Sequence, residues 1–153
     1  MWKLLPLLLF VTLGAENPVI HPSQAALEEK FKAMLSNCTL DGRWCTTTNG
    51  KMTDEYQDKY NIRGATKTGK DLWTIDARIE VLGKSMTIPI PVRLSWADDT
   101  PVITLDKVSA PGFGTYSARV LLFGNSYAGA WSAKDHGGML HGTIEKRPRP
   151  VDK

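Results

Sequence analysis

No second long apolar run follows the first in this chain of 153 residues. A membrane-spanning helix needs about 20 consecutive apolar residues, so the sequence predicts no membrane span. Cysteine is scarce. Only Cys38 and Cys45 occur, and neither directly follows the opening apolar run, which argues against a lipid-modified bacterial lipoprotein. Charge of one sign is lacking as well: 19 basic and 16 acidic residues give +3. Without Lys3, in the opening segment, 18 face 16, a balance of +2 that is too weak to argue for nucleic acid. Neither a Gly-x-Ser-x-Gly elbow nor a Ser beside a His is present, so Ser95, Ser126 and Ser132 have no nucleophile context. No repeat of fixed period is visible.

The opening segment has a charge at Lys3, an apolar stretch from Leu4 to Leu13 and small residues at Gly14 and Ala15. This is the pattern of a secretory signal peptide cleaved after Ala15, and it predicts a periplasmic or extracellular location. The remainder, roughly 135 residues, suits one domain. The expected divisions are residues 1–15 (signal peptide), 16–37 (helical segment), 38–146 (β-barrel) and 147–153, a basic, Pro-rich disordered tail.

The clearest pattern lies between Leu72 and Trp96. Trp73, Ile75, Ala77, Ile79 and Val81 alternate with polar residues, and Met86, Ile88, Ile90, Val92, Leu94 and Trp96 do the same after a short break. With Gly83 and Lys84 at the centre of a type II′ turn, Val81 faces Met86 and Trp73 faces Leu94. Pro89 and Pro91 cannot donate ladder hydrogen bonds, which predicts a bulge or an edge-like stretch there.

Around this hairpin the chain reads as further strands. Leu27, Phe31, Met34 and Leu35 share one face of a helix predicted from Gln24 to Ser36, with Ser23 as N-cap and Asn37 as terminator. The first strand is expected at Cys45 to Thr48, turned by Asn49-Gly50. Tyr56 to Arg63 is a second strand with Tyr56, Tyr60 and Ile62 on one parity. After Trp96 come a short strand from Val102 to Lys107 and three strands joined by the Gly124-Asn125 turn and a loop from Ala133 to Gly138, a register that sets Leu122 opposite Tyr127, Ala118 opposite Trp131, Trp131 opposite Leu140 and Gly129 opposite Gly142. The total is eight strands in an antiparallel meander, mainly β with one N-terminal α-helix. Curling such a sheet into a barrel removes its exposed edges. A Cys38–Cys45 disulfide is the default for an exported chain. The six intervening residues, when extended, would hold the Cα atoms about 23 Å apart, so the bond requires a reversal, for which Asp41-Gly42 is suited. Two free buried thiols are the other reading. Asn37-Cys38-Thr39 matches a glycosylation acceptor, which matters only where the host glycosylates.

Leu40-Asp41-Gly42-Arg43-Trp44 opens the barrel with a Gly-x-Trp. Together with export and eight up-and-down strands it resembles the start of lipocalin and avidin-like barrels, the calycins. The resemblance implies that Trp44 closes one barrel end against a basic residue after the last strand, Lys146 or Arg147. It also implies a binding module, with a small apolar ligand inside or a protein partner on the rim. Some exported bacterial calycins of this size resemble inhibitors of secreted proteases. This chain departs from typical lipocalins in placing its helix before the barrel, and avidin's ligand-contacting residues have no match, so biotin is not implied.

Trp73, Trp96, Tyr116, Leu122, Tyr127 and Trp131 share the dry face and are the candidates for lining a cavity; the plainer reading is a filled core. Asp135 and His136, with His141, form the one cluster that invites catalysis or metal binding. Their spacing matches no known ligand set, and loop or surface histidines are the plainer reading. The sequence therefore predicts binding of a small apolar ligand without catalysis, cofactor or metal. A protein-binding module using the helix or the loops Ser109 to Gly114 and Ala133 to Gly138 is the alternative, and an enzyme built on Asp135 and His136 comes third.

Overall fold

A computed structural model describes residues 22–148. The signal peptide expected at 1–15 lies outside them, as does most of the tail. Helix α1 (Gln24–Leu35) comes first, and Ser23 Oγ accepts a hydrogen bond from the Ala26 amide as its N-cap. Asn37 ends the helical segment in the left-handed region, φ 45°. Strands β1 (Cys38–Thr48), β2 (Lys51–Met52), β3 (Tyr56–Lys67), β4 (Leu72–Val81), β5 (Lys84–Ala97), β6 (Thr100–Ala110), β7 (Gly114–Phe123), β8 (Ser126–Ser132) and β9 (Gly137–Lys146) follow. Each long strand pairs antiparallel with the next, and β1 pairs with both β3 and β9, which closes an eight-stranded barrel. β2 is a two-residue flap on the end of β1. The mainly β barrel with one N-terminal helix agrees with the sequence reading.

Inward residues alternate along the eight barrel strands apart from register shifts in β3 and β6, and α1 plugs one barrel end. Phe31 and Leu35 are buried there, Phe31 meeting the Trp73 ring edge-on at 5.1 Å. Burying each is worth about 2 kcal/mol. The helix is pinned from several strands. Lys146, the last residue of β9, donates from Nζ to the carbonyls of Ala33, Met34 and Ser36, the last at 2.9 Å. Lys67 pairs with Glu28 at 2.7 Å, and Lys30 with Asp99 at 2.7 Å.

Several expectations are corrected. Between the cysteines there is no reversal: β1 runs straight through Asp41-Gly42, and Cys38 and Cys45 are both buried and free. Seven positions apart on a regular strand, they point to opposite faces, so no disulfide joins them. β1 also begins at Cys38 rather than Cys45, and Asn49-Gly50 joins it to the flap. The central hairpin turns on Leu82 and Gly83, both at positive φ (48° and 73°), a type I′ turn. Its register is therefore Ile79 to Met86 and Trp73 to Val92, two residues from the expected one but on the same face. The β8–β9 pairing differs in the same way, with Trp131 opposite Gly138 and Gly129 opposite Leu140. The Gly124-Asn125 hairpin pairs as expected, Leu122 with Tyr127 and Ala118 with Trp131.

The barrel wall is not paired throughout. β5 pairs with β6 only from Arg93–Thr104 to Ala97–Thr100. In the ladder set by the Leu82-Gly83 turn, Pro89 and Pro91 stand in the pairs that do not exchange hydrogen bonds with β4. Their nitrogens therefore face β6, where a donor is needed and proline has none. On the facing strand, the β6–β7 register shifts between Leu105 and Val108, with Lys107 at φ 50°, a bulge that bends β6. The edge-like stretch predicted from Pro89 and Pro91 is this open seam.

Candidate functional site in the open half of the barrel

The two halves of the barrel interior differ in exposure. Toward α1, the inward residues Trp73, Ile75, Val92, Leu94, Ile103, Val120 and Leu122 are all buried. Toward the other end, inward residues are only half-buried: Ile79 and Val81 on β4, Met86, Ile88 and Ile90 on β5, Leu105 and, past the bulge, Val108 on β6, Tyr116 on β7, Leu140 on β9. At this end of the barrel, solvent therefore reaches apolar side chains that face the lumen.

Beneath the half-buried residues lies a polar floor, Tyr127 with Asp58, set on one row of the wall. Tyr127, Gly142, Gly42, Asp58 and Val81 are successive Cα partners across β8, β9, β1, β3 and β4. The two glycines leave a slot in which the Tyr127 ring lies. A methyl on Gly142 would come within 2.7 Å of its Cε1, and one on Gly42 within 2.9 Å of its Cζ. Asp58 is 3 % exposed. It accepts from Tyr60 Oη at 2.7 Å and from Tyr127 Oη at 3.5 Å, the longer bond being the weaker. Burial pushes the Asp58 carboxyl up from the ordinary carboxylate range, against the opposing pull of the two tyrosine hydroxyls. Burial, and then the Asp58 charge, likewise push Tyr60 and Tyr127 upward. With both oxygens taken by tyrosines, Asp58 ties β3 to β8 over the two strands between them. Its signal was in the sequence: it shares the parity of Tyr56, Tyr60 and Ile62.

Aromatic rings line one side of the mouth. Trp44 lies 5.0 Å from Tyr56 and 5.7 Å from Trp131, which in turn lies 6.0 Å from Tyr116 and 5.4 Å from His136. Among the described residues, Trp44 Nε1 and Trp131 Nε1 are buried without a hydrogen-bond partner. The six cavity candidates therefore separate. Tyr116 and Trp131 stand in the mouth, Tyr127 in the floor, and Trp73, Leu122 and half-buried Trp96 toward the plugged end.

Trp44 does not meet a basic residue after β9. Arg147 sits beside the start of β1, where its Nη2 donates to the Ile62 carbonyl at 2.7 Å and its backbone exchanges hydrogen bonds with Asn37. Trp44 lies six residues further along β1, roughly 20 Å away at strand rise. Residue 147 is thus fixed to the barrel rather than part of a loose tail.

Asp135 accepts or shares the proton of His136 Nδ1 at 2.7 Å on the exposed β8–β9 loop, while His141 pairs with Glu55 at 2.8 Å on the outer wall. His136 and His141 do not converge, and among the described residues no group of three or more His, Cys, Asp or Glu could hold a metal ion. Two concavities lie outside the lumen. One, of about 470 Å³, is a charged groove on the outer wall of β3 to β5 bordered by Arg63, Arg78, Arg147, Asp76 and Glu80. The other, of about 320 Å³, lies between α1 and the Gly124-Asn125 turn. Among the described residues no helix is long and apolar enough to cross a membrane.

The closed barrel is compatible with a calycin-like fold. No family model, curated protein or solved structure matches the chain.

Proposed function

We propose that this chain is an exported binding protein that holds a small apolar ligand in the open half of its barrel. One contrast carries the reading: inward apolar side chains are buried on the α1 side of the floor and half-exposed on the other. A protein that needed only a stable core gains nothing from leaving Ile79, Met86, Ile88, Leu105 and Tyr116 in contact with water, at about 25 cal/mol for each Å² left exposed. The rigid plug and the Tyr127–Asp58 floor keep the cavity walls in place before the ligand arrives, which lowers the cost of ordering them. The opening run Leu4 to Leu13 supports export.

Titration of the purified protein with a panel of apolar fluorophores and lipids, read through indole emission, tests the proposal. The expected result is saturable quenching or a blue shift that Trp131→Phe diminishes and Trp73→Phe, under the helix, does not. A spectrum unchanged across the panel removes the reading.

A further inference from the structure

The β5–β6 seam is a stretch of barrel wall that backbone pairing does not close. It lies across the barrel from the Trp44–Trp131 cluster, since β5 and β6 are separated from β1 and β8 by strands on either side. Its lower limit is the Arg93–Thr104 pair. At the mouth it is bridged by Lys84, whose Nζ lies 3.4 Å from the Gly112 carbonyl and 6.0 Å from the Phe113 ring. Between these limits the inner edges carry Met86, Ile88 and Ile90 on β5 and Leu105 and Val108 on β6, all apolar and half-buried.

Two facing devices keep the seam open, prolines on β5 and a bulge on β6. Both also discourage an extended peptide from adding to these edges, so a partner strand is a poor occupant. A narrow apolar slot in a barrel wall fits an unbranched hydrocarbon chain. The rim adds charge: Lys84 and Lys107 have no ion-pair partner among the described residues, against one carboxylate, Asp106.

We infer that the β5–β6 seam is a lateral portal for a single-chain carboxylate amphiphile, such as a long-chain fatty acid. The chain passes between Ile88 and Val108, which the β5–β6 register and the β6 bulge bring to neighbouring levels, into the open half, and the carboxylate stays at the Lys84 and Lys107 rim. This rests on the proposed cavity and adds to it the route and the ligand class.

Stopped-flow uptake of a fluorescent polyene fatty acid by the full chain tests it, with the methyl ester of the same acid as the uncharged comparison. Pro89→Thr/Pro91→Thr restores two donors toward β6, and Ile88→Trp blocks the slot without touching the ladder. Circular dichroism identifies which variants fold. Uptake about tenfold slower in the folded variants, within the range over which association rates vary among mutants, together with weaker binding of the ester, is the expected result. Equal rates in the parent and Ile88→Trp overturn the portal and leave the cavity standing. A parent that takes up neither probe overturns both.

Discussion

Tyr127 reaches Asp58 across two intervening strands because the residues between them in the row are Gly142 and Gly42. Any side chain at either position would lift the phenol off the barrel wall and break the tie. The glycine of Gly-x-Trp is thus explained by what lies on it.

Gly42→Ala is therefore expected to destabilise the barrel strongly. The new methyl would meet both Tyr127 and the His141 backbone carbonyl, and the carbonyl belongs to a paired strand that cannot yield. Overpacking of this kind costs about 3 kcal/mol. Urea unfolding would show the midpoint falling with little change in slope.

The buried carboxyl makes a pH prediction. Asp58 is raised in the folded chain, chiefly by burial, above its unfolded value of about 3.9. The folded state then holds the proton more tightly, so the stabilising contribution is complete below the unfolded value and is lost as pH rises through the folded one. Asp58→Asn keeps an acceptor for Tyr60 and removes the titration. Stability of the variant minus that of the parent should grow from about pH 4 toward neutrality. A flat difference across that range in urea melts would show that Asp58 carries no such penalty.

Strand count, inward parity and the helix with its cap were legible because each rests on local chemistry: period-two alternation, Ser23 before an amphipathic stripe, glycines at turns. Register was less legible. Gly83 marks the central turn, but whether it takes the first or second turn position depends on Leu82 accepting positive φ, which sequence alone disfavours. The floor escaped for a different reason. A carboxylate on a polar strand reads as solvent-facing until β8, β9 and β1 are aligned beside β3, and that alignment is long-range. The cysteines misled because export favoured a bond, whereas the continuity of β1 is decided by its two neighbouring strands. Pro89 and Pro91, by contrast, declared an edge that the structure contains.

Leu82 offers a stabilising substitution. It is 65 % exposed and held at φ 48°, a conformation that costs a branched side chain about 1 kcal/mol. Leu82→Asn creates the Asn-Gly pair that type I′ turns prefer. The melting temperature should rise by several degrees, about what 1 kcal/mol gives in a domain of this size, with the β4–β5 pairing unchanged in amide exchange.

The thiols should behave as buried and separate. Burial raises the Cys38 thiol, outweighing the nearby Lys146 and Arg147 charges, and a raised thiol is a poorer source of thiolate. A thiol reagent added to the folded protein should leave Cys38 and Cys45 largely unmodified, and two groups should react once denaturant is added without reductant. A protein two mass units lighter, with no titratable thiol, would mean that β1 is broken between them.

Lys146 is expected to hold the plug in place. Its ammonium sits at the C-terminal end of α1, donating to carbonyls that the helix itself leaves without partners, and a cation there also opposes the helix dipole. Other contacts to α1, Lys67–Glu28 and Lys30–Asp99, are partly or largely exposed and worth little individually. Lys146→Met keeps the length of the side chain and removes the donors, at a cost of about 1 kcal/mol. The loss should appear first as faster amide exchange at Met34 and Leu35, ahead of any change at Tyr127 or Asp58, because the helix can loosen while the floor beneath it stays tied. If exchange accelerates in the floor as well, the plug and the barrel unfold as one unit, and the open half is shaped by α1 as much as by its own strands.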